Sequence, residues 1–180
     1  MSRFVALLRG INVGRARRVA MADLRRLLDE LGYADVRTLL NSGNAVFDAR
    51  SRPRGGHAPR IRRALAQSLG VDTHVIVKSA VEFATAVDYN PLRKLATDPA
   101  RFLLMFTHEA AELGRLQSLA GRAWAPESLA IGEHAAYLWC PGGILDSRLL
   151  QAANRELGEL ATNRNWATVL KLKALLGCED

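Results

Sequence analysis

The sequence predicts an α+β protein with antiparallel sheets, and three observations carry that reading. Between residues 4 and 77, short apolar runs alternate with amphipathic stretches in the order βαββαβ, the ferredoxin-like unit. Residues 102–157 repeat the theme loosely, without an exact sequence repeat. Between them, residues 89–100 carry Pro91 and Pro99 and read as a connector. The expected division is an N-terminal ferredoxin-like half over 1–88 and a C-terminal α+β half over 89–180 that ends in a helix.

Each element has a local cause. Phe4-Val5-Ala6-Leu7-Leu8 is a short apolar run and reads as a buried strand. Met21, Leu24, Leu27, Leu28 and Leu31 recur at three and four, which places one apolar stripe on a helix that Gly32 stops. Val36–Leu40 and Ala45–Phe47 read as strands joined over Asn41-Ser42-Gly43-Asn44. Four turn formers in a row suit a tight hairpin with positive φ at Gly43 and at Asn44. Pro59 fits the first turn of a second helix, with Ile61, Leu65 and Leu69 on one face and Gly70 at its end. His74–Val77 completes the first half, and Ser79 with Glu82 reads as the capping box of a short helix.

In the second half Phe102–Phe106 reads as a strand and Glu109–Ala120 as a helix with Leu113 and Leu116 inward. Leu129–Ile131 and Ala136–Trp139 flank the turn at Gly132-Glu133. Pro141-Gly142-Gly143 breaks the chain before a helix over Ser147–Leu157. A last helix is expected from Thr162, capped by Thr162 and anchored by Trp166, Val169, Leu170, Leu172 and Leu176.

Composition narrows the class. A chain of 180 residues with 49% hydrophobic and 24% charged residues is ordinary for a globular protein, and should bury roughly 70% of its unfolded surface. No apolar run approaches the ~20 residues that span a bilayer, and Phe4–Leu8 is too short for a signal-peptide core. Cys140 and Cys178 form neither a disulfide framework nor a metal-type spacing, so a cytoplasmic location and no membrane partner are expected. The net charge of +7 is uneven: residues 1–63 hold 14 arginines against five acids. A basic half attracts anions, but 21 Arg against 4 Lys in an Ala-rich chain also fits genome composition.

The candidate site lies at the mouth of the first strand. Arg9-Gly10-Ile11-Asn12-Val13-Gly14 bridges strand and helix, where backbone N–H groups, the helix dipole and Arg9 suit an anion. It matches neither Walker A nor G-x-G-x-x-G. In a βαββαβ unit strands one and three are antiparallel neighbours, so Arg9 and Asn12 should lie near Ser42, Gly43 and Asn44. Arg164 and Asn165 are expected to add a guanidinium fork and an amide. The expected function is therefore a binding protein for a small anionic ligand, a nucleotide or phosphorylated metabolite. The expected ligand set is Arg9, Gly10, Asn12, Gly14, Ser42, Gly43, Asn44, Arg164 and Asn165. Two alternatives stand beside it. One is a nucleic-acid-binding module using Arg15, Arg17 and Arg18 with the arginines of 50–63. The other is a structural domain that pairs into a homodimer rather than remaining a monomer. His57, His74, His108 and His134 show no ligand spacing, so no metal or cofactor is expected. No catalytic constellation is recognisable.

The strings LLRGINVG, Met21-Ala22-Asp23-Leu24, Val36-Arg37-Thr38, Ser42-Gly43-Asn44-Ala45 with Phe47, and Ala161-Thr162-Asn163-Arg164-Asn165-Trp166-Ala167-Thr168 together resemble the DUF1697 family, a bacterial family of unknown function. The resemblance implies two ferredoxin-like halves and no activity. The chain departs from the family pattern at Arg15 and Arg17, where a second glycine and an asparagine are usual.

Overall fold

The computed structural model describes residues 1–14 and 17–178. Among them the strands form two four-stranded sheets, and every pairing is antiparallel. The chain divides into two compact units: Met1–Val81 together with the segment from Leu172, and Glu82–Lys171.

In the first unit β1 (Ser2–Leu8), α1 (Met21–Glu30), β2 (Ala34–Leu39), β3 (Asn44–Ala49), α2 (His57–Leu69) and β4 (Val75–Ser79) follow the expected order. The sheet order is β2-β3-β1-β4, with β3 and β1 central. Ala6, Leu8, Ala45, Phe47 and Val75 share a core with Leu24, Leu28, Ile61 and Leu65. Period two on the strands meets period 3.6 on the helices. Gly70 closes α2 in the left-handed region at φ 65°.

That core contains a buried histidine. His57 opens α2 with 4% of its surface exposed, among the rings of Phe4, Tyr33 and Phe47. Its Nδ1 lies 2.9 Å from the Tyr33 hydroxyl, while Nε2 is buried without a partner among the described residues. Burial, and then the charges of Arg52 and Arg60, hold its pKa below 6.5. The unfolded chain therefore takes up this proton first as pH falls. Stability should drop from about pH 6.5 downward until the folded-state pKa is passed, at no more than ~1.4 kcal/mol per pH unit. Melting curves between pH 8 and 5 should show a steeper acid loss for the wild type than for His57→Phe. Equal slopes would remove His57 as the cause.

In the second unit α3 (Ala80–Tyr89, of which residues from Glu82 belong here) precedes β5 (Phe102–Thr107). A 3₁₀ turn (Ala110–Leu116) runs into the short α4 (Gln117–Ala120). Then come β6 (Ser128–Ile131), β7 (Ala136–Trp139), α5 (Arg148–Leu157), β8 (Ala161–Asn165) and α6 (Trp166–Leu176, of which residues up to Lys171 belong here). The order β6-β7-β5-β8 repeats the ferredoxin-like topology. Leu103, Met105, Ala136 and Leu138 pack with Leu113, Leu116, Leu149, Ala153 and Leu157. Ser147 caps α5 through Leu150 N, and burial pushes the Cys140 thiol upward, which leaves it a packed, inert group.

Three sequence expectations are corrected. The predicted helix over Glu109–Ala120 is mostly 3₁₀, held at its start by a capping box between Glu109 and Glu112. The last helix begins at Trp166, not Thr162. Residues 161–165 instead form β8, because Phe106 pairs with Thr162 and Leu104 with Arg164, and the sheet needs that fourth strand. Leu170, assigned to the inward stripe, is exposed, whereas Val169, Leu172 and Leu176 are buried.

Candidate functional site

The end of β1 is pinned on two sides. Arg9 N donates to His74 O at 2.9 Å, and the Thr73 hydroxyl donates to Arg9 O. On the other side Leu8 N donates to Gly43 O at 2.8 Å. The chain then leaves the sheet through backbone that ordinary residues avoid: Gly10 at φ 59°, Asn12 at 56°, Gly14 at 63° and Arg17 at 53°. Ile11 and Val19 are buried and anchor this loop in the core.

Asn12 is the latch. Its backbone N–H closes the loop on Arg17 O at 3.1 Å. Its side-chain Nδ2 donates to Val19 O at 2.8 Å and to Asn41 O at 2.7 Å, while Oδ1 accepts from Val19 N at 2.9 Å. One amide thus folds the loop on itself and ties it to the β2–β3 hairpin. In that hairpin Gly43 takes the expected left-handed backbone at φ 81°, but the second such residue is Leu40 at φ 57° and not Asn44, which already belongs to β3. Asn44, fully buried, donates to Leu39 O and to Ser42 Oγ, each at 2.9 Å. A Cβ on Gly43 would stand 2.7 Å from Ile11 Cδ1 and 2.8 Å from Leu8 Cβ. The two loops therefore touch, through a hydrogen bond on the outside and van der Waals contact beneath.

Strain is concentrated here. Among the described residues the non-glycine positions with left-handed φ are Asn12, Arg17, Asp35 and Leu40, and three of the four lie in these loops. Arg17 and Leu40 each cost roughly 1–2 kcal/mol and the asparagine less, and such residues gather at functional sites. Between the loops opens a cleft of about 350 Å³ lined by Asn12, Arg18, Val19, Ala20 and Asn41. Ala20 is the N-cap residue of α1 and gives it no side-chain cap, and Asp23 is the one acidic residue of the first turn. Arg18 is exposed, and neither its side chain nor that of the half-buried Arg9 has a hydrogen-bond or ion-pair partner among the described residues.

The expected residues fare differently. Arg9, Gly10, Asn12, Gly14, Ser42, Gly43 and Asn44 all fall in the two meeting loops. The amides of Asn12 and Asn44, however, are engaged in holding those loops. Arg164 and Asn165 belong to the other unit and are accounted for there. Arg164 is 8% exposed and donates from Nη1 to Thr162 Oγ1 at 2.9 Å and Asn163 O at 2.8 Å, and burial pushes its guanidinium down to about 10. Asn165 Oδ1 accepts from Thr168 N at 2.9 Å and so caps α6. Arg15 lies outside the described residues. Sequence reasoning missed Asn41, treated only as a turn former, and the bare helix start at Ala20. An alanine where a capping residue belongs was the available signal.

Among the described residues no group of three or more His, Cys, Asp or Glu side chains could hold a metal, and no helix is long and apolar enough to cross a membrane. No curated protein matches the chain. The structure is similar to that of the conserved bacterial protein SP0830 from Streptococcus pneumoniae, with a TM-score of 0.75 and 23% identity over 97% of this chain and 98% of that one. At that identity the likeness speaks for the fold alone. Residues 1–137 match the family described as "Protein of unknown function (DUF1697)", and the chain belongs to that family.

Proposed function

We propose that the cleft beside α1 binds a small anionic ligand, a nucleotide or phosphorylated metabolite. One observation carries the reading: a strained, glycine-rich loop is latched by Asn12 against the hairpin, leaving an uncapped helix start and an unpaired Arg18 at one opening. Helix N-termini favour negative charge by ~0.3–1 kcal/mol, and a charge-assisted hydrogen bond from Arg18 adds ~1.5–3 kcal/mol. Roles then divide. Arg18, Asn41 and the first-turn N–H groups of α1 contact the ligand, with Arg9 adding positive charge nearby. Asn12, Asn44 and Gly43 hold the loops in place.

The test is a thermal-shift panel of nucleotides and sugar phosphates against the wild type and Arg18→Ala. A ligand at about ten times its Kd stabilises by ~1.4 kcal/mol, or about 3–5 °C for a chain of this size. Arg18→Ala should weaken binding about tenfold, ~1.4 kcal/mol, without lowering the melting temperature of the ligand-free protein. A flat panel, or a shift that Arg18→Ala leaves intact, counts against this site.

A second reading has its own observation. Arg3, Arg26, Arg37 and Arg62 pair with carboxylates, but Arg17, Arg18, Arg52 and Arg54 are exposed without an ion-pair partner among the described residues. This leaves cationic surface for nucleic acid. It requires an affinity for duplex or single-stranded DNA or RNA that falls steeply with salt, and whose salt slope is reduced when Arg52 and Arg54 are neutralised.

A further inference from the structure

The second unit holds a cavity of a different character. It measures about 280 Å³ and is lined by residues of α3 and of the β6–β7 hairpin, among them Tyr89, Ile131, Gly132, Glu133, His134 and Tyr137. Tyr137 is fully buried and its hydroxyl donates to Ala86 O, so it presents ring and no free donor. Tyr89 is 60% exposed, its ring centroid 5.9 Å from that of Tyr137 and tilted by 55°. A Cβ on Gly132 would come within 3.0 Å of the Tyr137 ring and 3.2 Å of the Tyr89 ring. Both rings therefore rest on the bare backbone of the turn, and the missing side chain brings them together there.

The charge at this cavity runs against that of the molecule. In a chain of net charge +7, its lining contains one carboxylate and neither lysine nor arginine. Glu133 is 80% exposed, and its nearest cationic group is His134 Nε2 at 3.8 Å, which carries charge only when protonated. Two tyrosine rings and an uncompensated carboxylate around an apolar floor complement a positive charge with hydrocarbon around it. A tyrosine ring attracts a cation placed over its face, and the carboxylate of Glu133 in the same lining adds direct attraction. The volume lies just below the ~300–1,000 Å³ typical of ligand pockets, which suits a compact molecule rather than a nucleotide.

We propose that this cavity binds a small organic cation, a quaternary ammonium or protonated amine with an apolar body, seated against Tyr89 and Tyr137 with its charge toward Glu133. The site lies within residues 82–171 and does not depend on the anion reading above. The test uses choline and its uncharged isostere 3,3-dimethylbutanol, titrated into the full-length protein at matched ionic strength and followed by backbone amide NMR. Choline should shift amides within 85–89 and 131–137 and saturate, and the isostere should bind about fivefold more weakly or worse. Tyr89→Leu, which keeps apolar bulk and removes the ring, and Glu133→Gln should each weaken choline several-fold. Both change exposed side chains, so the fold should be retained. Equal binding of the isostere, no saturable shift at tens of millimolar, or unchanged affinity in both variants would overturn the proposal.

Discussion

Gly43→Ala should destabilise the first unit by about 3 kcal/mol. Two costs combine in that figure. A non-glycine residue held at φ 81° pays ~1–2 kcal/mol. Forcing a methyl group into a packed site costs a further ~1–3 kcal/mol. The second cost is hard to relieve because the nearest obstacle besides Ile11 Cδ1 is Leu8 Cβ, which is fixed to the backbone of a central strand and fully buried. Chemical denaturation followed by circular dichroism reads the change directly. Gly14→Ala is the control: its φ is also positive, but nothing lies within 4 Å of the added Cβ, so it should lose only the backbone share. Equal losses for the two variants would mean that the contact between hairpin and loop contributes nothing.

Asn12→Ala should cost about 2–3 kcal/mol. Its amide satisfies Val19 N–H, Val19 C=O and Asn41 C=O at once. A typical hydrogen bond contributes ~0.5–1.5 kcal/mol net, with water replacing part of the loss where the partner is exposed. Alanine also tolerates φ 56° less well than asparagine does. Asn12→Gly separates the terms, since it accepts the backbone and still loses the three bonds. Asn12→Asp should be no better than alanine: its carboxylate keeps the acceptor for Val19 N–H but faces two carbonyl oxygens where donors stood. A tolerated Asn12→Asp would show that the latch does not hold the loop.

Much of this arrangement could be read from the chain. The stripe from Met21 to Leu31, the stop at Gly32 and the turn formers at 41–44 gave α1 and the hairpin. Strand order then put Asn12 beside that hairpin. Residues 161–165 misled because Thr162 and Asn165 are good capping residues. Only long-range pairing with β5 makes that segment a strand, with Asn165 rather than Thr162 at the helix start. The role of Asn12 could not be read locally either. An asparagine in a glycine-rich loop can orient a ligand or satisfy its own loop, and only the positions of Val19 and Asn41 decide between them. For the same reason Arg18, read from the sequence as one of a basic cluster, is the cation that the proposed anion cleft would use.

The most direct test of the anion cleft is an amide-resolved NMR titration with inorganic pyrophosphate and with AMP. Saturable shifts concentrated at Asn12, Arg18–Asp23 and Asn41 are expected, and they should disappear in Arg18→Ala. Shifts confined to residues 50–63, or drifting without saturation, would contradict that expectation.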